Sequence, residues 1–312
     1  MDFVRLGTSG LNITTLTYGT ALTIGSESND TRYSNELIDT AWNCGIRSFD
    51  TSNNYGNGNA EIHLGNALKK YPRHQYVIST KGSWPIGSSI YEKGLSRKHL
   101  CYALESSLSR LKMDYVDIYY AHRYDPNVPM IEIIRTFNHF INRGKILYWA
   151  TSEWPLDALK ECIQLCEKNN FEKPITEQFI YSYAVQKSVT NGVKDFCQNK
   201  GIGTICFSPL CQGYLTGKYL NSIPKNSRIA KAELLNYNKT QNFYVQNKER
   251  IDFFLNVCKK YETDPSAVAL QWCFRQKIYP VFGASTKKQI EDNVAAATVR
   301  IPEELWMELE KK

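Results

Sequence analysis

Short, mostly apolar segments alternate with longer amphipathic segments along nearly the whole chain. The short segments lack the apolar–polar alternation of a half-exposed strand, which is typical of strands covered on both faces. Seven of them predict strands at residues 46–50, 76–81, 116–122, 146–152, 175–178, 202–208 and 279–283. With a further strand near residues 16–19, the pattern predicts eight strands in all.

The longer segments place apolar residues three and four positions apart, which predicts helices between the strands. Helices are expected at residues 60–70, 97–111, 156–168, 188–199, 243–261, 266–275 and 287–297, with a last helix from residue 302. Ser34 is the predicted N-cap of the first helix, and Pro129 marks the first turn of the helix that ends before Gly144. Residues 4–20 predict a hairpin, and residues 209–240 an irregular insertion.

This repetition of strand and helix has no linker-like break, so it predicts a (β/α)₈ TIM barrel with an N-terminal β-hairpin in a single domain, residues 1–312. A doubly wound open sheet is the competing prediction. Such a sheet should carry a glycine-rich phosphate turn after its first strand, whereas Gly56 and Gly58 form only a lone G-x-G after the second. The barrel is therefore favoured.

The composition is that of an ordinary globular protein, with 42% hydrophobic and 22% charged residues. The formal net charge of +7 is not clustered, which argues against nucleic acid as a partner. No apolar stretch approaches the roughly 20 residues of a membrane span, and the N-terminus lacks a signal-like core, so a cytoplasmic protein without membrane insertion is expected. The nine cysteines lack metal-ligand spacing, and no metal is expected.

Polar residues stand where the predicted strands end. They are Thr20, Asp50, Lys81, His122, Ser152, Gln178, Ser208 and Ser285. Because barrel chemistry is located at the carboxyl ends of the strands, these side chains are expected to surround one mouth.

Four residues at this mouth suggest carbonyl chemistry. A tyrosine such as Tyr55 is a poor acid at neutral pH, but a lysine ammonium within reach stabilises its phenolate and lowers its pKa. Asp50 would keep Lys81 charged and oriented, and a neutral His122 could donate a hydrogen bond to a carbonyl oxygen. Together these groups could polarise a carbonyl and protonate the alkoxide as a hydride arrives.

The segments FDTSNNYG, ISTKG and YYAHRYDP resemble the Asp, Tyr, Lys and His segments of the aldo-keto reductases. KGLSRKHL, YWATSEW, FSPLCQGYLTGKY and GASTKKQIEDN further resemble the group that contains the β subunits of voltage-gated potassium channels. The resemblance covers essentially the whole chain. It implies a barrel, an NADP(H) cofactor, and the catalytic roles of Asp50, Tyr55, Lys81 and His122.

The resemblance also implies a cofactor site and a substrate mouth. The implied cofactor residues are Thr20, Ala21, Ser152, Gln178, Phe207, Ser208, Pro209, Leu210, Cys211, Gln212, Lys218, Arg228, Gly283, Ser285, Gln289, Asp292 and Asn293. Ala21 is also expected at the mouth, with Leu22, Trp84, Arg123, Tyr124 and Trp154. The chain ends soon after its last predicted helix, so an open mouth is expected.

Four positions depart from the family pattern or from its channel-subunit group, and one of them is Glu27, where the channel subunits carry glutamine. Phe207 stands where tyrosine or tryptophan is usual, and Glu153 where asparagine or arginine is usual. His122 is the residue that working reductases carry, whereas the channel subunits carry asparagine there.

The sequence thus predicts NADPH-dependent reduction of an aldehyde or ketone to an alcohol. A reductase of nucleotide-linked keto-deoxysugars and a channel-type regulatory subunit that senses NADP(H) are the alternatives. The partner expected is a small-molecule carbonyl substrate. The sequence does not decide the oligomeric state, and a homo-oligomer is compatible with it.

Overall fold

Eight parallel strands close into a barrel in the computed structural model, which describes residues 1–25, 30–220, 227, 230 and 239–311. The barrel strands are β3 Thr17–Gly19, β4 Ser48–Asp50, β5 Val77–Gly82, β6 Val116–Ala121, β7 Ile146–Ser152, β8 Thr176–Ile180, β9 Gly203–Phe207 and β10 Tyr279–Phe282. Each strand pairs with the next along the chain, and β10 closes the ring by pairing with both β9 and β3. The predicted (β/α)₈ barrel is confirmed.

The predicted N-terminal hairpin is also confirmed, with a shorter extent than residues 4–20. Strands β1 Phe3–Arg5 and β2 Asn12–Thr14 pair antiparallel, and the chain then enters the barrel at β3. Leu6 and Ile13 join the cluster of buried side chains that includes Ile118, Ile205 and Val281 of the barrel strands. The hairpin therefore covers the amino-terminal end of the barrel and contributes to its interior.

Helices surround the barrel in the described part of the chain. They are α1 Thr31–Asn43, α2 Asn59–Leu68, α3 Arg97–Leu111, α4 Met130–Asn142, α5 Leu156–Asn169, α6 Lys187–Thr190, α7 Val193–Asn199, α8 Lys239–Lys260, α9 Pro265–Arg275, α10 Lys287–Ala296 and α11 Glu303–Leu309. Their apolar faces pack on the outside of the strands in a second, larger core that contains Leu37, Leu104 and Phe137.

Two helix boundaries differ from the prediction for local reasons. Asp30, not Ser34, caps α1, because its carboxylate accepts a hydrogen bond from the Tyr33 N–H at 2.7 Å. The helix predicted at 188–199 is divided into α6 and α7, since Gly192 adopts a left-handed conformation with φ of 79°. A glycine can adopt this conformation at little steric cost, and it interrupts the helical hydrogen bonds there.

Candidate active site

The strand register brings the predicted catalytic residues to one end of the barrel. Asp50 is the last residue of β4 and lies opposite Ser79 of β5. Because alternate residues of a strand share a face, Lys81 projects to the same side as Ser79. His122 directly follows β6, and Tyr55 lies on the loop after β4, in a short 3₁₀ turn at Tyr55–Gly58. The structure therefore places all four predicted residues at the carboxyl ends of β4, β5 and β6.

A buried ion pair is the centre of this arrangement. Lys81 is fully buried, and its Nζ contacts Asp50 Oδ1 and donates to the Thr51 carbonyl oxygen at 2.8 Å. Asp50 Oδ2 accepts from Ser79 Oγ at 2.7 Å and from Gln178 Nε2 at 3.3 Å. A buried charge is tolerated only with such partners. Burial lowers the pKa of Lys81, but the Asp50 charge and Tyr55 outweigh it, so the net pKa is raised and Lys81 carries a positive charge.

Tyr55 lies over this ion pair. The Lys81 Nζ is 5.1 Å from the centroid of the Tyr55 ring. Burial raises the pKa of Tyr55, and the Lys81 charge lowers it by a smaller amount, so the net pKa lies above the ordinary value. The Lys81 charge lowers the Tyr55 pKa, as predicted, but the net pKa is raised because burial is the larger effect. Tyr55 therefore carries its proton at neutral pH.

His122 is neutral at this position. It is 5% exposed, and its ring meets the Tyr55 ring edge to face with centroids 6.1 Å apart. Burial, together with the positive charges of Lys81 and Arg123, holds its pKa well below the ordinary value. A neutral imidazole beside a protonated phenol agrees with the neutral histidine expected from the sequence.

The predicted substrate residues divide into exposed and buried groups. Leu22 and Trp84 are 76% and 43% exposed, and the Trp84 ring centroid lies 6.2 Å from that of His122. Arg123 Nη1 donates to the His122 carbonyl oxygen at 2.5 Å and to Ser152 Oγ at 3.1 Å. Trp154 is 2% exposed, so its side chain is packed among its neighbours.

Two contacts hold the Trp154 side chain there. Its Nε1 donates to the Ala121 carbonyl oxygen at 3.2 Å, and its ring packs against Tyr124. Both contacts tie Trp154 to the carboxyl end of β6 and the residues that follow it.

Glu177 fixes the backbone next to Trp154. This carboxyl group is fully buried on β8, and its Oε1 accepts from the Trp154 N–H at 3.0 Å. No salt bridge to Glu177 occurs within the part of the chain that the structure describes. Burial raises its pKa from 4.5 to about 8, so it is mostly protonated at neutral pH.

Glu177→Gln should remove a pH dependence of stability. Between about pH 4.5 and about pH 8, the folded state retains the Glu177 proton that the unfolded chain releases. The stability that this protonated carboxyl group contributes is therefore fully present below about pH 4.5 and is lost as the pH rises to about 8. Relative to the variant, the wild-type free energy of unfolding should fall by about 1.4 kcal/mol per pH unit in this window. Urea unfolding at several pH values measures it. Equal slopes for both proteins would contradict the assignment, and Glu105→Gln on the surface is the control.

The predicted cofactor residues occupy the other part of the ring. Ser152 and Gln178 are paired in register on β7 and β8. Thr20, Ala21, Phe207, Ser208 and Gly283 lie at or just beyond the ends of β3, β9 and β10, which are neighbours in the barrel. One arc, β4 to β6, thus carries the four catalytic candidates, and the remaining arc carries the cofactor candidates.

The loop after β9 has an unusual backbone, with several residues in the left-handed conformation. Ser208, Cys211 and Gln212 have φ of 59°, 50° and 57°, a left-handed conformation that costs about 1–3 kcal/mol for residues other than glycine. Gly213 follows at φ of 97°, and a Cβ there would lie 2.7 Å from Lys218 Cε. The N–H groups of Cys211 and Gly213 donate within the loop, to the carbonyl oxygens of Ser208 and Leu210, both at 2.8 Å. Pro209 and Leu210 belong to the same loop.

The last predicted contacts surround the start of α10. Thr286 caps this helix by accepting from the Gln289 N–H at 3.2 Å. Gln289 Oε1 accepts from the Ser285 N–H at 2.8 Å, and Asn293 Nδ2 donates to the Gln289 carbonyl oxygen at 2.7 Å. Asp292 follows Gln289 by about one turn of α10 and is exposed. A helix N-terminus attracts anions through its first N–H groups, of which the Thr286 cap takes the one of Gln289. Arg228 lies outside the described residues.

Several residues of the site are not apparent from sequence motifs. Ser79 donates to the Asp50 carboxylate, and its position two residues before Lys81 on a strand was the available signal. Ser52 contacts His122, and Glu177 supports Trp154. The left-handed residues after β9 carry no local sequence signal.

Within the described ranges, no group of three histidine, cysteine or acidic side chains could hold a metal ion. No described helix is both long enough and apolar enough to cross a membrane. All nine cysteines are free thiols.

Fold and site together define a parallel (β/α)₈ barrel whose mouth combines a buried Asp–Lys ion pair with a protonated tyrosine and a neutral histidine. The chain belongs to the Aldo/keto reductase family, whose sequence profile matches residues 15–312, and it is therefore an oxidoreductase. It is 36% identical over 320 aligned positions to a putative voltage-gated potassium channel subunit beta of Schizosaccharomyces pombe. That alignment covers 100% of this chain and 92% of the relative.

Proposed function

We propose that this protein reduces an aldehyde or ketone to an alcohol with NADPH as the hydride donor. The observation that carries the proposal is the protonated Tyr55 beside the buried Lys81–Asp50 ion pair, at the carboxyl ends of the barrel strands. When bound, NADPH supplies a hydride to the carbonyl carbon. Tyr55 supplies a proton to the carbonyl oxygen, so that the products are an alcohol and NADP⁺.

The roles of the other residues follow from charge. As Tyr55 loses its proton, negative charge develops on the phenolate oxygen, and the Lys81 ammonium stabilises that charge. Asp50 keeps Lys81 charged in a site that excludes water. His122 packs edge to face against Tyr55, where a neutral ring can position a substrate without competing for the role of acid.

The preference for NADPH over NADH rests on the adenosine end of the site. A 2′-phosphate gains charge-assisted hydrogen bonds that NADH cannot make. Lys218, the exposed N-terminus of α10 and Arg228 would supply them, with Ser285 and Gln289 as neutral donors. Ser152 and Gln178 would hold the nicotinamide carboxamide.

A second candidate is a regulatory subunit that binds NADP(H) and turns over slowly. It is favoured by the similarity to a protein described as a potassium channel subunit beta. His122 argues against it, since the channel subunits carry asparagine at this position. Single-turnover oxidation of bound NADPH separates the two candidate functions.

The experiment is single-turnover oxidation of bound NADPH by a panel of aldehydes, ketones and nucleotide-linked keto-sugars, followed by absorbance and repeated with NADH. We expect rapid oxidation with at least one carbonyl and much tighter binding of NADPH than of NADH. Tight NADPH binding with oxidation over many minutes for every carbonyl would favour the regulatory subunit. Equal affinities for the two cofactors would contradict the assignment of the 2′-phosphate site.

A further inference from the structure

A second buried carboxylate, Glu61, lies behind the catalytic candidates in the first turn of α2. Arg110 of α3 donates from Nε to Glu61 Oε2 at 2.7 Å, and the Thr80 hydroxyl donates to Glu61 Oε1. The side chain of Glu61 is fully buried, and that of Arg110 is 23% exposed. A carboxylate without access to water needs such partners, so these two contacts hold Glu61 in place.

The contact between Glu61 and Thr80 joins the two segments that carry the acid and its cation. The short turn that begins at Tyr55 runs directly into α2, so Glu61 belongs to the same continuous segment as Tyr55. Thr80 directly precedes Lys81 on β5. Because successive residues of a strand point to opposite faces, Thr80 meets Glu61 on the outside of the barrel while Lys81 points to the inside.

The Tyr55 segment is held to its surroundings on both sides of the tyrosine. Before Tyr55, the Asn53 N–H donates to the Lys81 carbonyl oxygen at 3.2 Å. After Tyr55, Arg110 packs against the end of the turn, where Gly58 has φ of 90° and a Cβ would lie 2.8 Å from Arg110 Cδ. The first link is made by backbone atoms, whereas the links after Tyr55 involve side chains that substitution can remove.

We propose that Glu61, held by Arg110 and linked to Thr80, is a positioning residue that keeps the Tyr55 hydroxyl close to the Lys81 ammonium. This inference rests on the proposed function, in which Tyr55 gives up its proton and Lys81 stabilises the phenolate. That attraction weakens with distance, and a misplacement of about 1 Å can cost about 100-fold in rate. Loss of the link should therefore lower turnover and leave substrate binding nearly unchanged.

A matched ion pair elsewhere in the barrel distinguishes positioning from a contribution to stability alone. Asp117 of β6 accepts from Arg73 Nη2 at 2.7 Å and from the Ile78 N–H, near the amino end of β5, at 2.8 Å. The Arg73 side chain is 23% exposed, like that of Arg110, and the Asp117 side chain is 8% exposed. Asp117→Asn should therefore lower stability without lowering turnover.

The first test measures kcat and KM for carbonyl reduction in two variants of the link. Glu61→Gln keeps the shape of the side chain, and the partly exposed Arg110 can turn towards water. Thr80→Val removes the hydroxyl and leaves the Glu61–Arg110 pair intact. We expect kcat to fall by about tenfold or more in both variants, with KM and NADPH affinity nearly unchanged. Thr80→Ser, which restores the hydroxyl, should recover kcat.

Two results of this test would overturn the positioning role. One is wild-type kcat in folded Glu61→Gln and Thr80→Val. The other is a loss of kcat in Asp117→Asn as large as in the two link variants, since a general loss of stability would then explain all three.

The second test is ¹³C NMR of the full chain labelled at tyrosine Cζ, with the Tyr55 signal assigned from its loss in Tyr55→Phe. The chemical shift of this carbon responds to charge and hydrogen bonding at the phenol oxygen. The Tyr55 signal should move in Glu61→Gln and Thr80→Val and stay in place in Asp117→Asn. An unmoved Tyr55 signal in the two link variants would overturn the proposal.

The two tests separate this inference from the proposed function. If no carbonyl oxidises NADPH, the proposed function fails, whereas the NMR measurement still decides whether Glu61 positions Tyr55. If carbonyls are reduced and the link variants keep both kcat and the Tyr55 signal, only the role of Glu61 fails.

Discussion

Tyr55→Phe should lower the rate of carbonyl reduction by about 10²–10⁴-fold, the usual contribution of a general acid, and leave NADPH binding unchanged. Phenylalanine keeps the ring that packs beside His122 and over Lys81, and it removes only the hydroxyl that donates the proton. Single-turnover oxidation of bound NADPH measures the loss, and fluorescence titration measures cofactor affinity.

The matched control for this variant is Tyr102→Phe, which removes an exposed hydroxyl on α3. It should retain full turnover. Near wild-type turnover in Tyr55→Phe would show that another group is the acid. The raised pKa of Tyr55 adds a pH criterion: reduction by the wild type should not fall from about pH 6 to about pH 9, since the phenol stays protonated across that range.

The fold could be predicted because pattern and architecture agree at each level. Apolar strands ending on Asp50, Lys81, His122 and Ser152 already imply a parallel sheet with a polar rim, and the regular helices between them imply closure. Helix boundaries could not be predicted where a single backbone angle decides them. Gly192 divides one predicted helix in two, and only its φ of 79° reveals this.

The sequence predicted which residue types form the candidate site. It did not predict how burial and neighbouring charges together shift their pKa values. The sequence places Tyr55 and Lys81 together, yet whether burial or the lysine charge controls the tyrosine pKa depends on packing. Trp154 is expected to line the mouth, but the bond from its indole N–H to Ala121 and the Glu177 contact to its backbone could not be predicted, because they depend on packing.

Removal of the cation from the buried Lys81–Asp50 ion pair should have the second large effect, on both stability and turnover. Lys81→Met should lower the free energy of unfolding by about 3–5 kcal/mol, because it leaves the Asp50 carboxylate buried without its cation. Ser79 and Gln178 still donate to that carboxylate, but neutral donors do not replace the charge. Turnover should also be lost, since no ammonium remains to stabilise the Tyr55 phenolate. Urea unfolding and single-turnover NADPH oxidation measure the two losses.

Adding Asp50→Asn to Lys81→Met should recover most of the stability and none of the turnover. The asparagine has nearly the same shape as the aspartate and carries no charge that needs a partner, so the cause of the destabilisation is removed. The two substitutions should therefore be strongly non-additive in unfolding experiments. Lys70→Met is the matched control, because the Lys70–Asp39 pair is exposed and should contribute less than about 1 kcal/mol. A double variant as unstable as the sum of its single variants would mean that the two charges do not depend on each other. A double variant with restored turnover would remove Lys81 from the proposed chemistry.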